Sequence, residues 1–308
     1  MPYMLLLYFP EGEEYNTLMD MQKCTLCPRE CKADRTKARG VCDADSLVRI
    51  GRAGAHFGEE PPIVGKRGSG AVFFSGCSLK CVFCQNSAIS ANGNGKTYSL
   101  AELEKVLLTL AESCENINLV TAAHYIDIIL PVLERIKPRI TVPIVYNSGG
   151  YEKAETVKKL DRIVDIYLPD YKYFDGALAE KYSRAADYPE IAVKFIDEAV
   201  RQQSKILTEN GLIKKGVIIR HLVLPTHRDD SIAVLRDIAR RWGGKVLVSL
   251  MSQYTPTFNR SEYAELNRKV TSFEYESAVR EAQRLGLDGF VQARSSATEI
   301  YTPTFDVN

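Results

Sequence analysis

From Gly70 onward the chain alternates short runs rich in β-branched and aromatic residues with longer stretches whose apolar residues recur at helical spacing. That alternation is the pattern of successive βα units, which build a parallel sheet covered by helices. The clearest helix follows Ser99: Ser99 and Glu102 are spaced as a capping box, and Leu100, Leu103, Val106, Leu107 and Leu110 fall on one face. Strands are expected at Gly70–Ser75, Ile117–Thr121, Pro143–Tyr146, Val164–Leu168, Val217–Leu224 and Val246–Leu250. Helices are expected at Tyr125–Ile136, Lys153–Leu160, Ile191–Gln203 and Ser231–Trp242, with Pro131 bending the first of these. The dipeptide Asn210-Gly211 marks a tight turn and a small hairpin ahead of the fifth strand. A last helix, Phe273–Leu285, and the short run Gly289-Phe-Val-Gln292 extend the series.

A chain of 308 residues is long enough for two average domains or one α/β barrel. Its 45% hydrophobic and 26% charged residues are ordinary for a globular protein. Forty basic residues against thirty-nine acidic give a net charge of +1, so no broad cationic face for nucleic acid is expected. Lys214-Lys215 and Arg240-Arg241 read as solvated faces. Met1 to Pro10 is apolar but lacks a basic start and runs into Glu11-Gly-Glu-Glu14, unlike a secretory signal. With no apolar run of the ~18 residues a membrane span needs, a cytoplasmic location and no membrane partner are expected.

Seven of the eight cysteines lie in two groups, which in a reducing compartment points to metal binding rather than disulfides. Cys24, Cys27, Cys31 and Cys42 are separated by two, three and ten residues. Four thiols make a closed site, either a structural zinc or a second iron–sulfur cluster that relays electrons. Residues 1–65 are therefore expected to form a small Cys-rich module ending in a linker at Glu60-Pro-Pro62, with residues 66–308 forming the barrel and its C-terminal extension.

The second group, Gly76-Cys-Ser-Leu-Lys-Cys-Val-Phe-Cys-Gln-Asn86, directly follows a strand and offers only three thiols, Cys77, Cys81 and Cys84. Four-coordinate zinc and ordinary four-iron clusters take four protein ligands, so three from one loop leave one metal position free. The alternative is a structural zinc completed by a distant ligand such as Cys114.

The spacing, with Phe83 as the aromatic before the last cysteine, resembles the cluster loop of the radical S-adenosylmethionine (SAM) enzymes. The resemblance implies a 4Fe-4S cluster on Cys77, Cys81 and Cys84 whose free iron chelates SAM and splits it to a 5'-deoxyadenosyl radical. It also implies a partial (β/α)6 TIM-type barrel and a reductant such as flavodoxin or ferredoxin. Further stretches are similar to the pyruvate formate-lyase-activating-enzyme-like branch, and within it to PflX-type proteins. These are the Cys24 to Arg35 pattern, Gly58-Glu-Glu-Pro-Pro62, Asn118-Leu-Val-Thr121, His221-Leu-Val-Leu-Pro225 and Met251-Ser-Gln-Tyr254.

In a parallel barrel the chemistry collects at the C-terminal strand ends. Thr121-Ala-Ala-His124 stands where the family often has Gly-Gly-Glu and departs from it; His124 is either a pocket donor or a helix-capping residue. Asn147, in Asn147-Ser-Gly-Gly150, offers an amide to a ribose or carboxylate, and the glycines let a ligand approach the backbone. Asp170 and Lys172 lie two apart on one side of an extended segment and look like the family's Asp-x-Lys at the SAM pocket. Arg220 lies in an apolar run and needs an anion. The resemblance names the SAM carboxylate; a structural ion pair is the alternative. Gln253 and Tyr254 fall where adenine or substrate would sit. The pentapeptide Tyr-Thr-Pro-Thr-Phe recurs at 254–258 and 301–305; two copies make no repeat architecture and read as coincidence or similar loop packing, with closure of the open side of the barrel by the second copy as the alternative.

Three functions follow from this reading. The first is activation of a glycyl-radical enzyme by hydrogen abstraction from one of its glycines. The second is radical modification of a peptide side chain or small molecule. The third, outside catalysis, is an iron–sulfur electron carrier.

Overall fold

Strands that the sequence pattern places in succession lie side by side and parallel, and the structure, a computed structural model, describes residues 23–293 together with 5–7, 15–17 and 305. Two short strands, β1 (Leu5–Leu7) and β2 (Tyr15–Thr17), pair antiparallel with each other. The main sheet begins with β3 (Val48–His56), from which α1 (Pro61–Val64) leads into β4 (Ser69–Phe74). Helix α2 (Ser87–Ser90) and β5 (Lys96–Tyr98) follow, and α3 (Leu100–Ser113) leads to β6 (Ile117–Val120). The next units are α4 (Ile126–Ile136) with β7 (Ile144–Ser148) and α5 (Ala154–Lys158) with β8 (Ile166–Pro169). Two helices, α6 (Gly176–Ser183) and α7 (Tyr188–Gln202), precede the hairpin of β9 (Leu207–Glu209) and β10 (Leu212–Leu222). Helix α8 (Arg228–Trp242), β11 (Leu247–Met251), α9 (Ser272–Arg284) and β12 (Gly289–Val291) complete the order.

The main sheet runs β12-β11-β10-β8-β7-β6-β4-β3-β5. Six consecutive strands from β4 to β11 are parallel, and β12 adds a short seventh beside β11. At the other edge β3 runs antiparallel to β4, and β5 antiparallel to β3. Edge strands β12 and β5 do not pair among the described residues, so the fold is an α/β partial barrel of TIM type rather than a closed one. The sheet draws β3 from the first 65 residues.

Alternation along each strand sorts its side chains between two faces. Tyr146, Tyr167, Val217 and Ile219 pack into the helix layer, while Val145, Ile166, Leu168 and Ile218 pack on the other face around Ile63. The Glu60-Pro-Pro62 segment is therefore not a loose linker: Pro61 and Pro62 open α1, and Ile63 is buried against the sheet.

The capping box of α3 is present, with Ser99 accepting from the Glu102 N–H and Glu102 accepting from the Ser99 N–H. Asn210 and Gly211 both take positive φ in the two-residue turn between β9 and β10, as a type I′ hairpin requires. Pro131 lies inside α4, which runs unbroken past it. Helix α6 was not expected, since it opens on Gly176 and carries few apolar residues; Asp175 starts it by accepting from the Ala177 N–H at 2.7 Å. Residues 301–304 of the second pentapeptide lie outside the described residues, as does most of Met1–Pro10; Phe305 packs edge-on against Phe73 at 5.6 Å. No described helix is long and apolar enough to cross a membrane.

Candidate active site

The loop after β4 turns at Gly76, whose φ of 93° and lack of Cβ are both needed: a Cβ there would lie 2.4 Å from the Cys42 carbonyl oxygen. Cys77, Cys81 and Cys84 all line one cavity of about 200 Å³ at the C-terminal ends of the strands. Each sulfur has a donor or hydroxyl beside it: the Leu79 N–H at 3.4 Å from Cys77, the Ser183 hydroxyl at 3.0 Å from Cys81, and the Ser90 hydroxyl at 3.3 Å from Cys84. Burial, reinforced by the charges of Cys81 and Cys84, pushes the Cys77 thiol up to about 12. Neighbouring thiolates repel one another, and a cationic centre between them reverses that penalty. No three His, Cys, Asp or Glu side chains among the described residues are set around one ion position; a four-iron cluster instead takes one thiolate on each of three irons and needs no such arrangement.

Cys114 cannot complete the group. It caps α3 beside Gly70 at the start of β4, roughly 20 Å of strand from the loop that follows the other end. Phe83 is buried on the cavity wall, edge-on to Tyr173, Tyr182 and Tyr254 at 6.5, 6.3 and 6.1 Å.

Facing the cysteines, the strand ends bring Asn147, Asp170, Lys172 and Arg220 into the same cavity. The alternation that buries Ile218 on the Ile63 side also turns Arg220 inward, and sends His221 toward the helices. Arg220 donates from Nε to Asp170 Oδ1 at 2.8 Å and from Nη2 to Asn147 Oδ1 at 2.6 Å. Lys172 Nζ holds the other Asp170 oxygen. Burial alone would raise the Asp170 carboxyl, but Arg220 and Lys172 outweigh it and hold it below its ordinary value. Burial likewise works against the Lys172 ammonium, and Asp170 more than restores it. Gly150, at φ 80°, lets β7 turn against β8, since a Cβ there would meet the Asp170 carbonyl oxygen at 2.2 Å.

Two acids of the Gly58-Glu-Glu-Pro-Pro62 stretch, which the sequence alone does not assign to the site, complete this wall. Glu59 Oε1 accepts from Asn147 Nδ2 at 3.1 Å and its Oε2 lies 3.6 Å from Arg220 Nη1. Glu60 is 7% exposed, and its Oε2 has no hydrogen-bond partner. Burial pushes the Glu60 carboxyl up to about 7, with Arg220 opposing and Glu59 adding to the rise. The signal available was the pair of adjacent acids between a strand and a Pro-Pro helix start.

The two histidines of interest point elsewhere. His124 is buried with Nε2 2.7 Å from the Ser75 carbonyl oxygen, away from the cavity, and burial pushes its imidazole down to about 3. His221 holds the Tyr171 carbonyl oxygen through Nδ1 at 2.7 Å. Gln253 and Tyr254 line the cavity, although the Tyr254 hydroxyl is committed to the Leu266 carbonyl oxygen at 2.7 Å.

The N-terminal cysteines are not among the residues lining this cavity, but the Cys42 carbonyl oxygen accepts from the Cys77 N–H. A tight turn bonds Glu30 N–H to the Cys27 carbonyl oxygen at 3.0 Å, and Lys32 N–H closes the wider loop onto the Cys24 carbonyl oxygen at 2.9 Å. A Cβ on Gly40 would lie 3.3 Å from the Cys31 sulfur and 3.7 Å from that of Cys42. Burial pushes the Cys27 thiol up to about 11, with the charges of Cys42, Cys24 and Cys31 adding to it, so the four thiols share one neighbourhood. Arg29, between Cys27 and Cys31, donates from Nε to the Ser78 carbonyl oxygen at 2.9 Å, tying this loop to the Cys77 loop.

A family model described as the Radical SAM superfamily matches residues 71–239. An uncharacterized protein of Methanocaldococcus jannaschii is 30% identical over 281 residues, which is 87% of this chain and 76% of that one. Among solved structures, a domain of pyruvate-formate lyase-activating enzyme from Bacteroides vulgatus is 12% identical with a TM-score of 0.40, over 54% of this chain and 91% of that one. SuiB of Streptococcus suis, bound to its precursor peptide SuiA, is 15% identical with a TM-score of 0.47, over 70% of this chain and 46% of that one.

Proposed function

The chain belongs to the radical SAM superfamily, and from that premise we propose that it binds SAM in the strand-end cavity and cleaves it at a 4Fe-4S cluster on Cys77, Cys81 and Cys84. One observation carries this reading. Three thiols of a single loop face Asn147, Asp170, Lys172 and Arg220 across one cavity, and the remaining cysteine of the barrel, Cys114, lies at its opposite end. When bound, the cluster supplies the electron that splits the SAM sulfonium into methionine and a 5'-deoxyadenosyl radical.

The chain's own residues bind, orient and exclude water. Arg220 and Lys172 offer guanidinium and ammonium donors to the SAM carboxylate. Asn147 offers its amide to the ribose or carboxylate of the same ligand, and Asp170 positions both cations through its two oxygens. Phe83, with Tyr254 behind it, keeps water from the reacting carbon.

The hydrogen comes from a substrate that enters at the cavity mouth. A glycine of a glycyl-radical enzyme is the first candidate, and a peptide side chain or small molecule the second. A flavodoxin or ferredoxin is the class of reductant required. Cys24, Cys27, Cys31 and Cys42 hold a second metal, zinc or an iron–sulfur cluster, making residues 1–65 a metal-bearing module on the barrel of 66–308.

The test of the substrate is SAM deuterated at the 5' carbon, incubated with reduced enzyme and a candidate glycyl-radical enzyme. A glycyl radical by electron paramagnetic resonance, with 5'-deoxyadenosine formed, supports the first candidate. Formation of 5'-deoxyadenosine without any glycyl radical moves the reading to the second.

A further inference from the structure

Cys81 differs from the other two cysteines of its loop in what meets its sulfur. The Leu79 N–H stands 3.4 Å from the Cys77 sulfur and the Ser90 hydroxyl 3.3 Å from that of Cys84, whereas the Ser183 hydroxyl lies 3.0 Å from that of Cys81. Ser90 lines the cavity and Ser183 does not. Ser183 is fully buried at the end of α6, and the hydroxyl of the equally buried Tyr173 lies 2.8 Å behind its oxygen. Proton counting fixes the direction of this relay. A metal-bound thiolate has no proton to give, so the Ser183 hydroxyl donates to Cys81 and its oxygen accepts from Tyr173.

The backbone on both sides of the relay is tied down. Val82 N–H donates to the Tyr182 carbonyl oxygen at 3.0 Å, Arg29 Nη2 to that of Ser183 at 2.9 Å, and Arg260 Nη2 to that of Cys81 at 3.0 Å. Arg29 stands between Cys27 and Cys31, so the N-terminal module helps seat α6 against the Cys77 loop. A donor on a cluster thiolate draws charge off the sulfur, and such hydrogen bonds are among the features that set a cluster's potential. One-electron reduction adds a unit of negative charge, and the serine strengthens its bond in response without giving up its proton. We propose that Ser183, aligned by Tyr173, is a positioning residue that acts through the Cys81 sulfur to raise the reduction potential of the cluster, easing electron entry from a flavodoxin or ferredoxin. The proposal rests on the assignment of the cluster to Cys77, Cys81 and Cys84.

The experiment is a potentiometric titration with dithionite of the full, cluster-loaded chain, read by electron paramagnetic resonance. Wild type, Ser183→Ala and Tyr173→Phe are compared at matched iron per chain, and the barrel cluster is identified as the signal that Cys81→Ala lacks. Ser183→Ala is expected to weaken reduction at least about threefold, a midpoint lower by about 28 mV at 59 mV per tenfold for one electron. Tyr173→Phe, which keeps the ring, should lower it less, by at least about twofold or 18 mV. SAM binding to the oxidised protein, by equilibrium dialysis, should stay within about threefold of wild type in both variants, since Ser183 and Tyr173 do not line the cavity. An unmoved or raised midpoint in either variant overturns the proposal; so does a lowered midpoint with SAM binding lost alongside, which makes the relay structural. If Ser183→Ala does not load its cluster, Tyr173→Phe alone carries the test under the same criteria. Wild type without a signal that Cys81→Ala lacks would remove the barrel cluster itself, and the proposed function with it, whereas an unmoved midpoint leaves that function standing.

Discussion

The carbonyl oxygen of Cys42 accepts a hydrogen bond from the N–H of Cys77 at 2.9 Å. The last cysteine of the N-terminal group and the first cysteine of the barrel loop are thus joined backbone to backbone. Gly76 makes the approach feasible, since its missing Cβ leaves room for that carbonyl. Gly76→Ala combines a 2.4 Å clash with a positive φ, so a loss of about 2–3 kcal/mol is expected. Thermal unfolding and iron per chain check it: both should drop, and an unchanged iron content would mean the two groups tolerate separation.

The N-terminal cysteines should keep their metal without the barrel loop. A Cys77→Ala/Cys81→Ala/Cys84→Ala variant is expected to retain one bound centre by elemental analysis, zinc or iron, and a further Cys27→Ser change should release it. A triple variant free of both metals would show that Cys24, Cys27, Cys31 and Cys42 do not form a site.

Arg220→Ala should act on stability and on affinity separately. It leaves Asp170 and Glu59 facing each other without their guanidinium, a loss of about 3 kcal/mol for a broken buried pair. Adding Asp170→Asn should recover part of that stability in a urea titration. SAM affinity should stay at least about tenfold weaker in both variants. Unchanged affinity would remove Arg220 from the SAM site.

Much of this architecture is local in origin and so was readable in the chain. The strands from β4 to β11 announce themselves by β-branched runs, α3 by its Ser99 and Glu102 cap, and the cysteine groups by spacing alone. What was not readable depends on distant packing. Pro61 and Pro62 punctuate a linker and a helix start equally well, and only the sheet's inner face, around Ile63, decides between them. Cys77, Cys81, Cys84, Phe83, Asn147, Asp170, Lys172 and Arg220 were all singled out and all line one cavity. Glu59 and Glu60 were not, because their partners lie on strands far along the chain. His124 was ambiguous for the same reason, since its direction is set by the Ser75 carbonyl.

Glu152 offers a pH test remote from the cysteines. Its carboxylate is buried, accepting from the Tyr146 hydroxyl at 2.6 Å and from Ser148, and burial pushes it up to about 7 from an ordinary 4.5. A raised carboxyl binds its proton more tightly folded than unfolded. Its contribution is therefore fully present below about pH 4.5 and is lost as pH rises through about 7. Urea titrations of wild type and Glu152→Gln from acid to neutral pH should show wild type losing up to about 3 kcal/mol relative to the variant. A difference that does not change with pH would place the titration elsewhere.

The central claim is that three thiols on one loop hold a cluster that splits SAM. Anaerobically reconstituted, reduced protein is incubated with SAM and 5'-deoxyadenosine is measured by mass spectrometry, beside Cys81→Ala treated identically. Wild type is expected to form 5'-deoxyadenosine and Cys81→Ala none. No product from wild type carrying a full complement of iron, or equal product from both proteins, would contradict it.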